Sequence, residues 1–289
     1  MRSASIFLTL IGSAFGYDLV TTYSGPTFFA GWDYYSHWDN LTNGISPAPV
    51  TTASPIWYHT GDVNFVDRAT AISSKLTYIN DAGHAVVRVD NPTFVRAPLK
   101  RNSIMITSKE RYGLGTVWVL DALHVPFGCR LEMNSVFSSC QNNTKLVYGG
   151  RSGAAEQTSN ILMVCPMING SRHSSQKLTG FWFLGGEIDI FEGINLATNN
   201  QMTLHTLPGC TQPKDVDQTG RTNHTDCGST SQGSTGCNVI DTNPASYGAP
   251  FANAGGGVWV TEFIETGTKI WFFSVSPSGV EMAFDRRLS

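Results

Sequence analysis

Val258-Trp-Val-Thr-Glu-Phe-Ile264 and Lys269-Ile-Trp-Phe-Phe-Ser-Val275 flank the short connection Glu265-Thr-Gly-Thr268. Both runs are built from β-branched and aromatic residues, the types that fit a pleated, half-buried surface. Gly267 can take a positive φ without a Cβ clash, so the pair reads as an antiparallel hairpin. Other segments alternate with the same period of two. They are His84-Ala-Val-Val-Arg-Val-Asp90, Ile104-Met-Ile-Thr107, Thr116-Val-Trp-Val-Leu-Asp121 and Gln201-Met-Thr-Leu-His-Thr206. Long helical periodicity is absent, and no repeat of fixed period is present. The chain therefore reads as all-β, an antiparallel β-sandwich or barrel.

Two stretches interrupt this pattern. Residues 45–60 (ISPAPVTTASPIWYHT) are rich in Pro, Ser and Thr and read as a loop. Residues 130–179 show mixed polarity without clean alternation. A loop that long without secondary structure is unusual inside a compact domain.

Composition narrows the functional classes. The 289 residues carry a net charge of −3, and only 14% are charged. That excludes the basic face of an electrostatic nucleic-acid binder. It also excludes charged disorder. A chain this long can bury a sizeable core, and all-β folds of this size often form one domain. The 29 glycines and 11% aromatic residues suit turn-rich strands around a carbohydrate-like cleft.

The N-terminus opens with Met1-Arg2, continues through an apolar run to Ala14, and reaches the small-x-small stretch Ala14-Phe15-Gly16. Residues 1–16 read as a secretory signal peptide, with a single domain over 17–289. No run approaches the roughly 18 apolar residues of a membrane helix. The expected location is extracellular, with no membrane partner. Sequons at Asn40, Asn142, Asn169 and Asn223 fit that location. So do six cysteines, 129, 140, 165, 210, 227 and 237, which can form disulfides in 15 combinations. Their spacing lacks the paired units of a zinc site, and no metal is expected.

The chemistry concentrates in Gly185-Gly-Glu-Ile-Asp-Ile-Phe-Glu-Gly193. On a strand, Glu187 and Asp189 share one face, while Ile188 and Ile190 share the other. Strict alternation would put Glu192 among the isoleucines as a buried charge, at several kcal/mol. One extra residue, a β-bulge, returns Glu192 to the Glu187 face. Three neighbouring carboxyls repel, so their proton affinities separate: one stays protonated while another is ionised. That division suits glycoside hydrolysis, whose retaining form holds its two carboxyls about 5–5.5 Å apart. A solvated acidic strand and a calcium site are the alternatives; the latter would want more oxygen ligands from a flexible loop.

The motif over 186–193 resembles the signature of glycoside hydrolase family 16, in the longer form of its laminarinase-like branch. Collinear matches support the resemblance: Gly31-Trp-Asp33, Trp38-Asp-Asn40, Arg101-Asn-Ser103, His124-Val-Pro126 with Gly128-Cys129, Met202-Thr-Leu-His-Thr206, Gly255-Gly-Gly257 and Trp271-Phe-Phe273. The chain is thus similar to secreted fungal endo-1,3(4)-β-glucanases from about Tyr17 to Phe273. The resemblance implies a concanavalin A-like jelly roll with a concave cleft, Glu187 as nucleophile and Glu192 as general acid/base. It implies that Asp189 hydrogen-bonds and tunes the nucleophile, and that His205 stands near the reaction centre. Taken alone, His205 reads more readily as a satisfied histidine on a sheet face. Trp182 resembles a sugar-stacking tryptophan, although its position also suits a core residue. The expected partner is a β-glucan bound by a monomer, with no cofactor. A non-catalytic carbohydrate-binding jelly roll, an inactive copy and a cell-wall transglycosylase share most of these features.

The chain departs from the family pattern after Cys129. There the family runs directly into a Trp-Pro-Ala-Phe-Trp stretch, and here residues 130–179 intervene. Only Phe181-Trp182 then remains before Phe183-Leu-Gly-Gly186. Met105 stands where the family often has an arginine, and the chain reaches Ser289 before the branch's last strands. The expectation is a catalytic domain truncated at its C-terminus, with 130–179 lying outside the sandwich as a loop.

Overall fold

A computed structural model describes residues 17–34, 63–96, 99, 101–127, 132–140, 143–151, 162–163, 186–194, 196–206, 208–213, 215–228, 236–276 and 279–280. Over 132–163 the description is of the backbone. The expectations for residues 1–16, for 45–60 and for Trp182 lie outside the described residues.

The first strands are β1 (Trp32–Tyr34), β2 (Val63–Phe65), β3 (Thr77–Ile79), β4 (Ala85–Val87), β5 (Arg101–Ser103), β6 (Met105–Ser108) and β7 (Thr116–Ala122). The middle of the chain forms β8 (Glu132–Cys140), β9 (Asn143–Arg151), β10 (Leu162–Met163), β11 (Glu187–Ile194) and β12 (Gln201–His205). Then follow β13 (Arg221–His224), β14 (Cys237–Ile240), β15 (Gly257–Ile264), β16 (Gly267–Ser276) and β17 (Gly279–Val280). Two short helices, α1 (Arg68–Ser73) and α2 (Gly248–Ala254), interrupt them.

The strands assemble into an eight-stranded sheet, β1-β6-β9-β8-β11-β12-β14-β13, and a five-stranded sheet, β10-β16-β15-β7 with β17 against β16. One buried cluster joins the two: Ile188, Ile190, Phe191, Met202, Leu204 and Val239 from the first meet Trp259 and Phe263 from the second. The predicted sandwich is therefore present. A second cluster, around Trp32, Val66, Leu76, Ile104 and Ile106, closes the end of the large sheet near β1.

The predicted hairpin is β15–β16. Its register runs unbroken from Gly257↔Ser274 to Ile264↔Gly267, so the connection is only Glu265-Thr266. The positive φ falls on Gly267 (144°), at the first position of the returning strand. Burial along β15 alternates without exception. At its centre, Trp259 is fully buried, with ring centroids 4.8 Å from Phe191, 4.9 Å from Phe272 and 5.2 Å from Phe251.

One expectation is overturned. Residues 132–151 do not lie outside the sandwich: β8 and β9 form a hairpin inside the eight-stranded sheet, between β6 and β11. β8 pairs with the acid-bearing strand from Glu187↔Ser138 to Ile194↔Glu132. The physical reason is the ladder. A central strand has unpaired N–H and C=O groups on both edges, and burying them unpaired is costly. That requirement is met by any backbone, including the Ser- and Asn-rich sequence here, whose side chains carry little period-two signal.

Of the cysteines, Cys227 and Cys237 are joined, tying the start of β14 to the chain after β13, and Cys210 is also disulfide-bonded. Among the described residues no helix is long and apolar enough to cross a membrane.

Candidate active site

The site grows from an irregularity in β11. Asp189 pairs with Thr203 of β12, and the next pair is Glu192 with Gln201, so three steps on β11 match two on β12. On the other edge Asp189 pairs with Val136 and Phe191 with Ser135, two steps matching one. The extra residue is Ile190, and the predicted bulge is real. Its effect on burial is direct. Ile188, Ile190 and Phe191 all lie in the core, while Glu192, next in sequence, is half-buried on the opposite face. A regular strand cannot bury two consecutive side chains on one face; a bulge can.

The bulge puts Glu187, Asp189 and Glu192 in one row facing a row on β12. His205 stands across from Glu187, Thr203 across from Asp189, and Gln201 across from Glu192. Asp189 is almost fully buried, and its Oδ2 lies 3.5 Å from Nε2 of His205. The Thr203 hydroxyl donates to Oε2 of Glu192 at 3.3 Å. Behind this row the chain entering β14 comes close. A Cβ on Gly236 would lie 2.8 Å from the Thr203 methyl and 2.9 Å from Cε1 of His205. At the end of β11, a Cβ on Gly193 would overlap the ring of Tyr247, which packs on Phe191. The glycine that closes the acid motif thus makes room for a core aromatic.

Two site residues escaped the sequence reading. Thr203 has the same parity on β12 as His205, so period two was the available signal. Asn200 left none. It is fully buried, accepts from the Glu192 N–H through Oδ1 (3.0 Å), and donates from Nδ2 to the Ile190 carbonyl (3.0 Å). Among the described residues no group of three or more His, Cys, Asp or Glu side chains is arranged to hold a metal ion.

A β-sandwich with Glu-x-Asp-x-x-Glu on a bulged strand defines the class of family 16 glycoside hydrolase catalytic domains. The family model for the XgeA-like, catalytic GH16 domain matches residues 55–131 and 176–282, and the chain belongs to that family. The unmatched residues between these blocks include the β8–β9 hairpin. A probable glycosidase of Schizosaccharomyces pombe is 29% identical over 90% of this chain and 48% of its own length. A probable endo-1,3(4)-beta-glucanase of Aspergillus fumigatus is 28% identical over 92% of this chain and 32% of its own length. The chain thus spans half or less of the length of these relatives. The structure of laminarinase 16A from Phanerochaete chrysosporium, with beta-glucans in donor and acceptor sites, is 27% identical with a TM-score of 0.62, over 87% of this chain and 65% of that one. An elongating family 16 beta-1,3-glucosyltransferase structure is 25% identical with a TM-score of 0.58, over the same shares. The fold is accordingly the jelly-roll β-sandwich of the family 16 laminarinases.

Proposed function

We propose that this chain is the catalytic domain of a secreted, retaining endo-β-glucanase acting on β-1,3 or mixed β-1,3/1,4 glucans. The observation that carries the reading is the bulge at Ile190, which turns Glu192 onto the face of Glu187 and Asp189. In the first step the Glu187 carboxylate attacks the anomeric carbon while Glu192 protonates the departing glycosidic oxygen. The C–O bond of the glucan breaks and a glycosyl ester forms on Glu187. In the second step Glu192, now a carboxylate, takes a proton from water, which displaces Glu187 and restores the β-configuration. Asp189 lies between the two and tunes the nucleophile. His205, across from Glu187 and beside Asp189, positions that pair. Secretion is supported by the apolar N-terminus, the Cys227–Cys237 bond and an exposed sequon at Asn223 on β13.

Proton NMR of early products from laminarin or lichenan tests the mechanism. The β-anomer is expected first; an initial α-anomer overturns retention, and no cleavage leaves a carbohydrate-binding sandwich. N-terminal sequencing of protein from culture supernatant tests secretion, with a start near Tyr17 expected.

A second reading is glucan transglycosylation, favoured by the likeness to the glucosyltransferase structure. The same carboxylates would pass the glycosyl group to a sugar hydroxyl in place of water. Products longer than the starting oligosaccharide would select it.

A further inference from the structure

We infer that Asn200 is a positioning residue of the reaction: it braces the bulge and thereby aims Glu192. The proposal rests on the reading of Glu192 as general acid/base. A bulge leaves its extra residue outside the ladder, so backbone groups beside it need other partners. Here one side chain serves two of them. Oδ1 of Asn200 accepts the N–H of Glu192 and Nδ2 donates to the carbonyl of Ile190, each at 3.0 Å. A carboxamide accepts through one atom and donates through another, so a single Asn side chain can serve both an N–H and a carbonyl. Asn200 is itself held. Its N–H donates to Oγ of Ser246 at 3.0 Å, and its carbonyl accepts from the N–H of Asp241 at 3.0 Å. The preceding Asn199 donates from Nδ2 to the carbonyl of Asp241 at 2.8 Å, fastening the same loop. The brace runs from the 241–246 loop through a fully buried amide to the backbone of the acid. A simpler contact of this kind lies on the edge strand β13, where Asn238 accepts from the His224 N–H at that strand's own irregularity. At both breaks in register a buried asparagine accepts a backbone N–H. At Asn200 the backbone so paired carries a reacting carboxyl.

A misplacement of about 1 Å can lower turnover on the order of 100-fold. Loss of aim at the acid should matter most when the leaving group needs its proton. The test compares Asn200→Ala, Asn200→Asp and Ser246→Ala with the parent chain on glucan and on an aryl β-glucoside oligomer with an activated leaving group. Asn200→Ala is expected to lower kcat on glucan by about 100-fold and on the aryl substrate by about 10-fold less. Asn200→Asp keeps the acceptor but not the donor and should fall between Asn200→Ala and the parent. Ser246→Ala leaves the amide in place and should show the same leaving-group split, weakened. Equal losses on both substrates, or a lower melting temperature with unchanged kcat, would mean a structural role only and overturn the proposal. Amide hydrogen exchange provides a readout that needs no turnover. The Glu192 N–H should lose protection in Asn200→Ala while the β15–β16 amides keep theirs; unchanged Glu192 protection also overturns it. If Glu192→Gln itself shows no leaving-group dependence, the reading of Glu192 as the acid falls, and the exchange experiment still decides whether Asn200 holds the bulge.

Discussion

β15 and β11 are both eight-residue strands at the heart of the sandwich, and they are built in opposite ways. β15 pairs without a break on both edges, alternates buried and half-buried residues, and is held by aromatic packing around Trp259. β11 breaks register on both edges, and its outward face carries three acids. Its irregular backbone is paired by a buried asparagine, and its acids meet a threonine and a histidine. The difference teaches that apolar burial and catalytic geometry are supported by separate means. Both strands feed the shared core, β15 with Trp259 and Phe263 and β11 with Ile188, Ile190 and Phe191. The bulged strand gives up regularity so that a charged group can leave the core face, and directional hydrogen bonds hold the result.

Substitutions should separate these roles. Glu187→Gln is expected to lower glucan turnover on the order of 10⁴-fold or more, with a melting temperature close to the parent's. Glu192→Gln should lose about 10²–10⁴-fold on glucan yet retain much of the first step on activated aryl substrates. Initial rates on both substrates decide this, and an equal loss on each would contradict the assigned acid. Trp259→Ala should do the converse. It empties the aromatic cluster and should destabilise by about 3–5 kcal/mol in denaturant titration, with turnover of the folded fraction largely kept. A turnover defect at unchanged stability would break the comparison between the two strands.

Asp189→Asn should leave more activity than either glutamate substitution, because in the proposed mechanism the side chain tunes and does not react; kcat measured side by side checks it. Thr203→Val removes one donor to Glu192, and a bond to a charged group contributes about 1.5–3 kcal/mol, so kcat/KM on glucan should fall about 10- to 100-fold. The smallest effect belongs to the hairpin's surface. Lys269 and Glu262 lie 3.6 Å apart and partly exposed, and Lys269→Ala should change stability by about 0–1 kcal/mol with no change in turnover.

The acid row was legible because it obeys a local rule. Two isoleucines and three acids cannot alternate over 187–192 without an insertion, and the solvation of carboxylates decides which face they take. The β15–β16 hairpin was legible for a similar reason, although its turn proved shorter than the chemistry of Gly267 alone suggested. Residues 132–151 misled because strand pairing uses backbone groups, which every residue has. A strand rich in serine and asparagine, paired on both edges, need not announce itself by hydrophobic period.

The sequence by itself determined the all-β class, the hairpin, the identity of the three acids and the need for a bulge among them. Each follows from side-chain periodicity and the free energy of burying charge, which act over a few residues. Only the tertiary structure decided that β8 pairs along β11, that Tyr247 requires Gly193, and that Asn200 spans the bulge. These are contacts between segments distant in sequence or between a side chain and another strand's backbone. Their existence depends on where the folded chain brings donors, acceptors and rings together, which no local pattern encodes.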